Sequence, residues 1–274
     1  MKIGLLHPGA MGVTIGQALL ASGHNVYWQA QGRSPQTTAR AVNFRAMPTL
    51  SALVAEVEAI VSVCPPGAAF ALAQQVADAG FVGPYLDANA IAPTTAKRIA
   101  DVFVENYIDG GIIGPPAIKP DTTRLYLSGS RAAEAAQWFS AGVLGVDTMC
   151  GETTAASALK MAYAAYTKGS SALLLAVNAL AEQNGVRETL NHEWALSQPG
   201  LIARSELTAA NVSPKAWRFV AEMREIAQTF DDAGLPAGFH EAAADFYQRM
   251  ASLKGSSDVS MAQVLTEVLI HDGS

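Results

Sequence analysis

Lys160 is the residue in this sequence best suited to proton transfer. It lies in residues 153–184, a stretch without proline and rich in helix-favouring residues, which predicts one long helix. Because an α-helix turns by about 100° per residue, Lys160 falls on a narrow polar seam of an otherwise apolar helix. The other members of the seam are Thr153, Thr167, Ser171 and Asn178.

A lysine in apolar surroundings can act as a general acid and base near neutral pH, because desolvation lowers the pKa of its ammonium group. A second nearby cation, such as Lys168, would lower that pKa further. The alternative role for Lys160 is structural, with the ammonium reaching water or pairing with a carboxylate.

A glycine-containing turn near the N-terminus has the features of a dinucleotide site. The sequence His7-Pro8-Gly9-Ala10-Met11-Gly12 follows an apolar strand and opens a predicted helix. It keeps the second and third glycines of the G-x-G-x-x-G pattern, which let the backbone approach a pyrophosphate and let the helix pack on the strand. Histidine replaces the first. We predict a dinucleotide contact at Gly9, Ala10, Met11 and Gly12; a turn without a ligand is the alternative.

The residues after the second predicted strand favour NADP over NAD. No acidic residue stands there to hold the ribose 2′-hydroxyl of NAD. Arg33 and Ser34 are present instead, a forked donor and a hydroxyl at a helix start, and both suit a 2′-phosphate. The predicted cofactor is therefore NADP(H). A solvated loop arginine is the alternative interpretation.

These residues lie in a chain that alternates between strands and helices. The predicted strands are residues 3–6, 25 onward, 59–63, 85–87, 107–109, 125–127 and 145–149, and the predicted helices between them are 11–21, 70–79, 93–104 and 132–141. This alternation predicts an α/β fold with a doubly wound, mostly parallel sheet. Ligands of such sheets bind outside the carboxyl ends of the strands. Three segments, 64–67, 87–93 and 109–116, are predicted as strand-end loops.

After Cys150 the sequence predicts only helices. They are residues 153–184, 187–197, 201–211, 214–233, 239–253 and 260–270. The predicted organisation is an NADP-binding Rossmann domain at residues 1–150 and an all-α domain at residues 151–274, joined by the long helix.

Composition excludes several classes of function. The formal charge is −6 and the pI about 5.4, without a basic cluster, which argues against nucleic acid and anionic membranes. The longest apolar run is too short to cross a bilayer, and the cytoplasm is the expected compartment. Cys64 and Cys150 match no metal or redox spacing and the histidines are scattered, so no metal site is expected.

Several further motifs repeat one known pattern. Cys64-Pro65-Pro66 follows a strand, DANAIAP occupies residues 87–93, and DGGIIGP occupies residues 109–115. Together with the Gly9–Gly12 turn and Lys160, they resemble the β-hydroxyacid dehydrogenase superfamily. This superfamily includes 3-hydroxyisobutyrate dehydrogenases, tartronate semialdehyde reductases and 6-phosphogluconate dehydrogenases. The resemblance covers nearly the whole chain and implies the same order of a Rossmann domain, a long interdomain helix and an all-α domain.

The resemblance also implies roles for individual residues. Lys160 falls at the family's catalytic lysine, and Cys64, Pro65, Pro66 and Asn89 border the cofactor. The 109–115 motif implies substrate contacts at Gly111, Ile112, Ile113 and Gly114. Asn89 and Tyr163 are further candidate substrate-binding residues by residue type, with Tyr163 as a substitute proton donor. The alternative roles are a turn-forming asparagine at Asn89 and tight turns at the glycines. A homodimer through the C-terminal helical domain is expected.

The sequence departs from the family pattern at several positions. Ile113 replaces a serine that contacts substrate, Ala164 replaces an asparagine one turn after the lysine, and Glu222 stands near another family lysine. The chain is similar to a divergent subgroup with a 6-phosphogluconate dehydrogenase-like C-terminal domain. The predicted function is an NADP(H)-dependent oxidoreductase acting on the CH–OH group of a small hydroxy acid or its carbonyl counterpart. The alternatives are an imine reductase, which shares this architecture, and a catalytically silent NADP-binding protein.

Overall fold

The computed structural model describes residues 1–269 of the chain. The chain divides into two compact units, Met1–Met161 and the described residues from Ala162 onward. The division falls inside the long helix, so the first turns of that helix, including Lys160, belong to the first unit. The sequence prediction set the domain boundary at residue 150 and made the long helix the junction between the domains.

Eight strands form a single sheet in the first unit. They are β1 (Lys2–Leu6), β2 (Asn25–Gln29), β3 (Arg45–Met47), β4 (Ala59–Ser62), β5 (Tyr85–Asp87), β6 (Tyr107–Ile113), β7 (Arg124–Ser128) and β8 (Gly145–Thr148). Their order is β3-β2-β1-β4-β5-β6-β7-β8, and every neighbouring pair is parallel except β6 with β7. The prediction of a doubly wound, mostly parallel sheet is confirmed.

Helices cover both faces of this sheet. They are α1 (Gly12–Ala21), α2 (Pro35–Arg40), α3 (Leu50–Glu56), α4 (Ala69–Asp78), α5 (Pro93–Phe103) and α6 (Ala132–Ala136). In β1, Leu5 belongs to one apolar cluster and Leu6 to another. Because successive strand side chains point to opposite faces, the two clusters are the cores on the two sides of the sheet.

Two parts of the sequence prediction for this unit need correction. The elements β3 and α3 were not predicted, and α2 was anticipated only as a helix start at Ser34, because all three are short and β3 is mostly exposed. The segment 109–116 was predicted as a loop, but β6 continues through Ile113 and pairs with β7. Its glycines fit a crowded strand, since a Cβ on Gly110 would lie 2.9 Å from the Leu86 Cδ1 atom.

The described part of the second unit is helical, as predicted. The long helix α7 (Ala155–Gln183) is followed by α8 (Arg187–Ser197), α9 (Leu201–Val212), α10 (Ala216–Asp232), α11 (Gly238–Arg249) and α12 (Met261–Leu269). The predicted last helix extends to Ile270, which lies outside the described residues. Among residues 1–269, no helix is both long enough and apolar enough to span a bilayer.

Most of the polar seam of α7 serves the helix itself. The Thr167 hydroxyl donates to the Tyr163 carbonyl, and the Ser171 hydroxyl donates to the Thr167 carbonyl. Asn178 donates to the Leu174 carbonyl within its own helix. These side chains bond to carbonyls four residues earlier, a common arrangement for polar residues inside helices. Lys160 does not follow this pattern.

Candidate active site

The predicted cofactor residues gather at one edge of the sheet. The strand order reverses between β1 and β4, and dinucleotides bind at such a switch point, outside the carboxyl ends of the strands. The glycine turn follows β1, Arg33 follows β2, Cys64 follows β4 and Asn89 follows β5. The fold therefore brings together four segments that are far apart in the sequence.

The turn after β1 is crowded at Gly12 and open at Gly9. His7 has a φ of 62°, the left-handed conformation that glycine adopts without strain. A Cβ on Gly12 would lie 2.3 Å from the His7 carbonyl oxygen, so glycine is required where α1 approaches the turn. A Cβ on Gly9 would meet nothing closer than 4.0 Å, which leaves open space beside the backbone. These features fit the close approach of a pyrophosphate.

Arg33 and Ser34 lie at the end of β2, and both have partners. The Arg33 Nη1 atom bonds to His7 Nε2 at 2.6 Å. Burial and the charge of Arg33 lower the pKa of His7 to about 4, and burial lowers the pKa of Arg33. Ser34 caps α2, since its hydroxyl oxygen accepts from the Thr37 N–H at 3.2 Å. Their contact with a 2′-phosphate stays a prediction.

Asn89 is buried and braces the ends of β4 and β5. Its Oδ1 accepts from the Cys64 N–H at 2.5 Å, and its Nδ2 donates to the Ser62 hydroxyl at 3.1 Å. These bonds favour the structural role of Asn89 over a contact with nicotinamide or substrate. Burial raises the pKa of the Cys64 thiol to about 12, so this cysteine is inert. Pro65 is exposed and Pro66 begins a 3-10 turn.

Asp109 in β6 fixes the start of α7. Its buried carboxylate accepts from the Ser157 N–H at 2.7 Å and from the Ser157 hydroxyl at 2.6 Å. The adjacent Ala156 N–H donates to the Ser128 hydroxyl at 3.0 Å. A helix leaves its first four N–H groups unpaired and carries partial positive charge at that end, so a carboxylate there is stabilising. Burial raises the pKa of Asp109, and the bonds from Ser157 counteract that rise.

Gly111 allows α7 to lie against β6. A Cβ at this position would lie 2.5 Å from the Ala156 carbonyl oxygen and 3.3 Å from the Lys160 Cβ. One turn after Ser157, the Lys160 Nζ atom donates to the Ile112 carbonyl oxygen at 2.8 Å. Lys160, Gly111 and Ile112 are therefore neighbours, as expected for residues of one site.

Burial alone lowers the pKa of Lys160, to about 8. The suggestion that Lys168 contributes is wrong, because Lys168 forms an ion pair with Glu222 in the second unit. Among the described residues, no charged side chain contributes to this lowering of the Lys160 pKa. Lys160 can thus exchange a proton near neutral pH while its ammonium retains one hydrogen-bond partner.

The other predicted substrate residues are more dispersed. Ile113 is half-buried at the end of β6, and Gly114 is exposed with a φ of 122°. Tyr163 lies three residues after Lys160 on the same helix, in the second unit, and is 47% exposed. Gly111, Ile112 and Ile113 were expected in a strand-end loop, but they lie in the part of β6 that pairs with β7.

Sequence reasoning missed three features of this region. The anchoring by Asp109 and Ser157 depends on residues 48 positions apart, and the role of His7 depends on its contact with Arg33. Asp87 is fully buried, and burial raises its pKa to about 7. A carboxylate at the end of the predicted strand, followed by a glycine pair, was the one available signal for Asp109.

In the described residues, no cluster of three or more His, Cys, Asp or Glu side chains could hold a metal ion.

Comparison with solved structures shows that the chain shares its fold with dehydrogenases and reductases. The 3-hydroxyisobutyrate dehydrogenase of Mycobacterium tuberculosis, solved with L-serine, is 17% identical with a TM-score of 0.68, covering 97% of this chain and 98% of that one. A reductive aminase from Aspergillus terreus in complex with NADPH is 17% identical with a TM-score of 0.56 over 97% and 98%. An imine reductase from Streptomyces aurantiacus is 18% identical with a TM-score of 0.52 over 97% and 99%.

Sequence comparisons add one family match. Residues 181–250 match a domain of unknown function, DUF1932. The sequence matches no curated protein. The two-domain order predicted from the family resemblance, a Rossmann-type α/β part followed by helices, is the order found in the structurally similar dehydrogenases.

The anchor of α7 can be tested through Ser157. We expect Ser157→Ala to lower the free energy of unfolding by about 1–3 kcal/mol, because a buried carboxylate loses a charge-assisted hydrogen bond. Ser171→Ala is the matched control, since the Ser171 hydroxyl bonds only to a carbonyl of its own helix. Urea unfolding followed by circular dichroism measures both variants. Equal effects of the two substitutions would contradict the anchoring role.

Proposed function

We propose that this protein belongs to the β-hydroxyacid dehydrogenase superfamily and is an NADP(H)-dependent oxidoreductase. In this proposal it transfers hydride between nicotinamide and a small hydroxy acid or its carbonyl counterpart. The position of Lys160 carries the proposal: a partly buried lysine beside β6, with a pKa near 8, in a fold shared with 3-hydroxyisobutyrate dehydrogenase. That combination matches what proton transfer to a substrate oxygen requires.

The residues present fit a dinucleotide cofactor. Open space beside Gly9 would admit the pyrophosphate, the close approach at Gly12 would bring the start of α1 to it, and Arg33 would provide a cation for a 2′-phosphate. When bound, the nicotinamide supplies or accepts the hydride, which no protein side chain can do. NADPH in the structurally similar reductive aminase supports this choice of cofactor.

Lys160 manages the proton in this mechanism. During reduction, its ammonium donates a proton to the carbonyl oxygen of the substrate as that oxygen gains negative charge. During oxidation, the neutral amine removes the proton from the hydroxyl group. The Ile112 carbonyl oxygen, 2.8 Å from Nζ, orients the group in both states, because the neutral amine also keeps N–H donors.

Replacing Lys160 tests the chemical role directly. We expect Lys160→Met to reduce kcat/KM for the active 2-oxo or 3-oxo acid by about 10²–10⁴-fold, the usual contribution of general acid–base catalysis, with unchanged affinity for NADPH. NADPH oxidation against a panel of small oxo acids measures the first quantity, and fluorescence titration the second. Lys97→Met is the control, because Lys97 is an exposed lysine of α5. A fully active Lys160→Met variant would contradict the mechanism.

The pH dependence should differ between the two directions. Reduction needs the protonated lysine, so kcat/KM should fall as the pH rises through about 8. Oxidation needs the neutral amine, so its kcat/KM should rise through the same pH. Steady-state rates between about pH 6 and pH 10 measure both profiles. If kcat/KM changed with pH in the same direction for both reactions, or if the inflection persisted in Lys160→Met, the titrating group would be another residue.

Imine reduction is the second candidate function. The fold shared with a reductive aminase and an imine reductase favours it, whereas retention of a lysine at position 160 favours oxygen chemistry. Including cyclic imines in the same NADPH assay distinguishes the two substrates. A protein that binds NADPH and turns over neither class would be the catalytically silent alternative, which Ile113 and Ala164 would explain.

We also propose a homodimer formed through the helical domain. On α7, Tyr166, Leu173 and Leu180 are 69%, 61% and 65% exposed at intervals of seven residues, so they form an apolar stripe on one face. Phe239 of α11 is 79% exposed beside a largely apolar cavity of about 860 Å³ in the same unit. Exposed stripes of this kind mark protein interfaces.

Oligomeric state tests this interface. We expect the wild-type protein to sediment as a dimer and Leu173→Lys to sediment as a folded monomer, because a charge in the stripe would be buried without a partner. Leu207→Lys, at an exposed leucine of α9 outside the stripe, serves as the control. A monomeric wild type at micromolar concentration would contradict the proposal.

The free cysteines Cys64 and Cys150 suit a reducing compartment, and we propose the cytoplasm, which cell fractionation would test.

A further inference from the structure

We propose that His7 is a cofactor-selectivity residue, which holds the Arg33 guanidinium in place for the 2′-phosphate of NADP while leaving its charge available. The inference rests on the proposed function, since it assumes that the turn after β1 binds a nicotinamide dinucleotide. It adds a specific task for the residue that replaces the first glycine of the dinucleotide pattern.

The backbone at His7 indicates that its side chain has a role. Its φ of 62° is the conformation for which glycine is the default residue, and other residues adopt it with strain. Histidine belongs to the few residue types that are enriched there, together with Asn and Asp. The chain nevertheless carries an imidazole at a position where glycine would fit the same backbone, so the imidazole must contribute something that glycine lacks.

The contact with Arg33 identifies that contribution. The Arg33 Nη1 atom lies 2.6 Å from His7 Nε2. A guanidinium group can only donate hydrogen bonds, so Nε2 must accept, and the imidazole must be neutral with its hydrogen on Nδ1. Burial and the neighbouring cation favour this neutral form by lowering the pKa of His7 to about 4.

A neutral acceptor orients the arginine without cancelling its charge. Within residues 1–269, none of the ion pairs found joins Arg33 to a carboxylate. Its Nε atom is buried and has no hydrogen-bond partner in that part of the chain. An aspartate in place of His7 would fix the guanidinium equally well but would neutralise it and repel a phosphate. The imidazole therefore leaves a preoriented cation for an anionic ligand.

The position of this cation selects the ligand class. Arg33 follows β2, where dinucleotide-binding folds recognise the adenosine ribose. A phosphomonoester on the 2′-oxygen carries about two negative charges and accepts forked hydrogen bonds, whereas the 2′-hydroxyl of NAD does neither. His7 should thus affect the binding of NADPH and leave that of NADH nearly unchanged.

A double-mutant cycle tests the inference. Dissociation constants for NADPH and NADH are measured by calorimetry for the wild type, His7→Gly, Arg33→Gln and the double variant. We expect His7→Gly to weaken NADPH binding by about tenfold and NADH binding by less than about threefold, because one charge-assisted contact becomes misplaced. In the Arg33→Gln background, His7→Gly should have no further effect on NADPH, because His7 acts through Arg33.

A second readout does not depend on cofactor. Titration of the His7 imidazole by NMR in the cofactor-free protein should show a pKa near 4 in the wild type and a higher pKa in Arg33→Gln, because burial remains but the charge of Arg33 is absent. Thermal unfolding checks that His7→Gly is folded; glycine relieves the left-handed strain there, so we expect no loss of stability. If that variant did not fold, His7→Asn would replace it in the cycle.

The possible failures are distinguishable. A wild type that binds neither NADPH nor NADH would overturn the proposed function together with this inference. If the wild type binds NADPH but His7→Gly leaves the NADPH to NADH preference unchanged, only the inference fails. Stronger NADPH binding by His7→Gly would also overturn it, because His7 would then hold Arg33 away from the phosphate. An unchanged His7 titration in Arg33→Gln would show that the two side chains are not coupled.

Discussion

The carboxylate of Asp109 ties the first turn of α7 to the sheet, and the position of Lys160 depends on that contact. The carboxylate accepts two hydrogen bonds from Ser157, one of them from an N–H group that the helix cannot pair internally. Gly111 permits the short distance, since any side chain would meet the Ala156 carbonyl. Three residues after Ser157, Lys160 reaches the Ile112 carbonyl with its ammonium partly withdrawn from water.

Both charged residues of the candidate site are partly desolvated without being neutralised by a carboxylate. Lys160 and Arg33 are each held by a neutral acceptor, a carbonyl oxygen in one case and an imidazole nitrogen in the other. Desolvation without a neutralising carboxylate lowers the pKa of the lysine into the range of proton transfer, while the arginine stays charged. A carboxylate partner, such as Glu222 for Lys168, would neutralise either cation. The lysine could then not serve the proposed proton transfer, nor the arginine the proposed phosphate contact.

The sequence alone was sufficient for the architecture. Hydrophobic strands alternating with helices predicted the doubly wound sheet, and the glycine turn, Arg33 and Lys160 were each proposed as candidates from residue type and local context. Contacts between distant residues were not predictable. Asp109 and Ser157 are 48 positions apart and meet only in the folded chain. The length of β6 was missed because its two glycines resemble a loop. From the sequence, His7 was only the residue that replaces the first glycine, because no local feature of the sequence reveals its hydrogen bond to Arg33.

The pKa of Lys160 in the folded protein is the most direct test of this account, because the anchoring by Asp109, the close approach at Gly111 and the proposed proton transfer all converge on it. It can be measured by NMR on protein labelled with ¹³C and ¹⁵N at lysine, with Lys160→Met identifying the signal. The account predicts a titration near 8. A titration near that of a lysine in water, about 10.4, would contradict it.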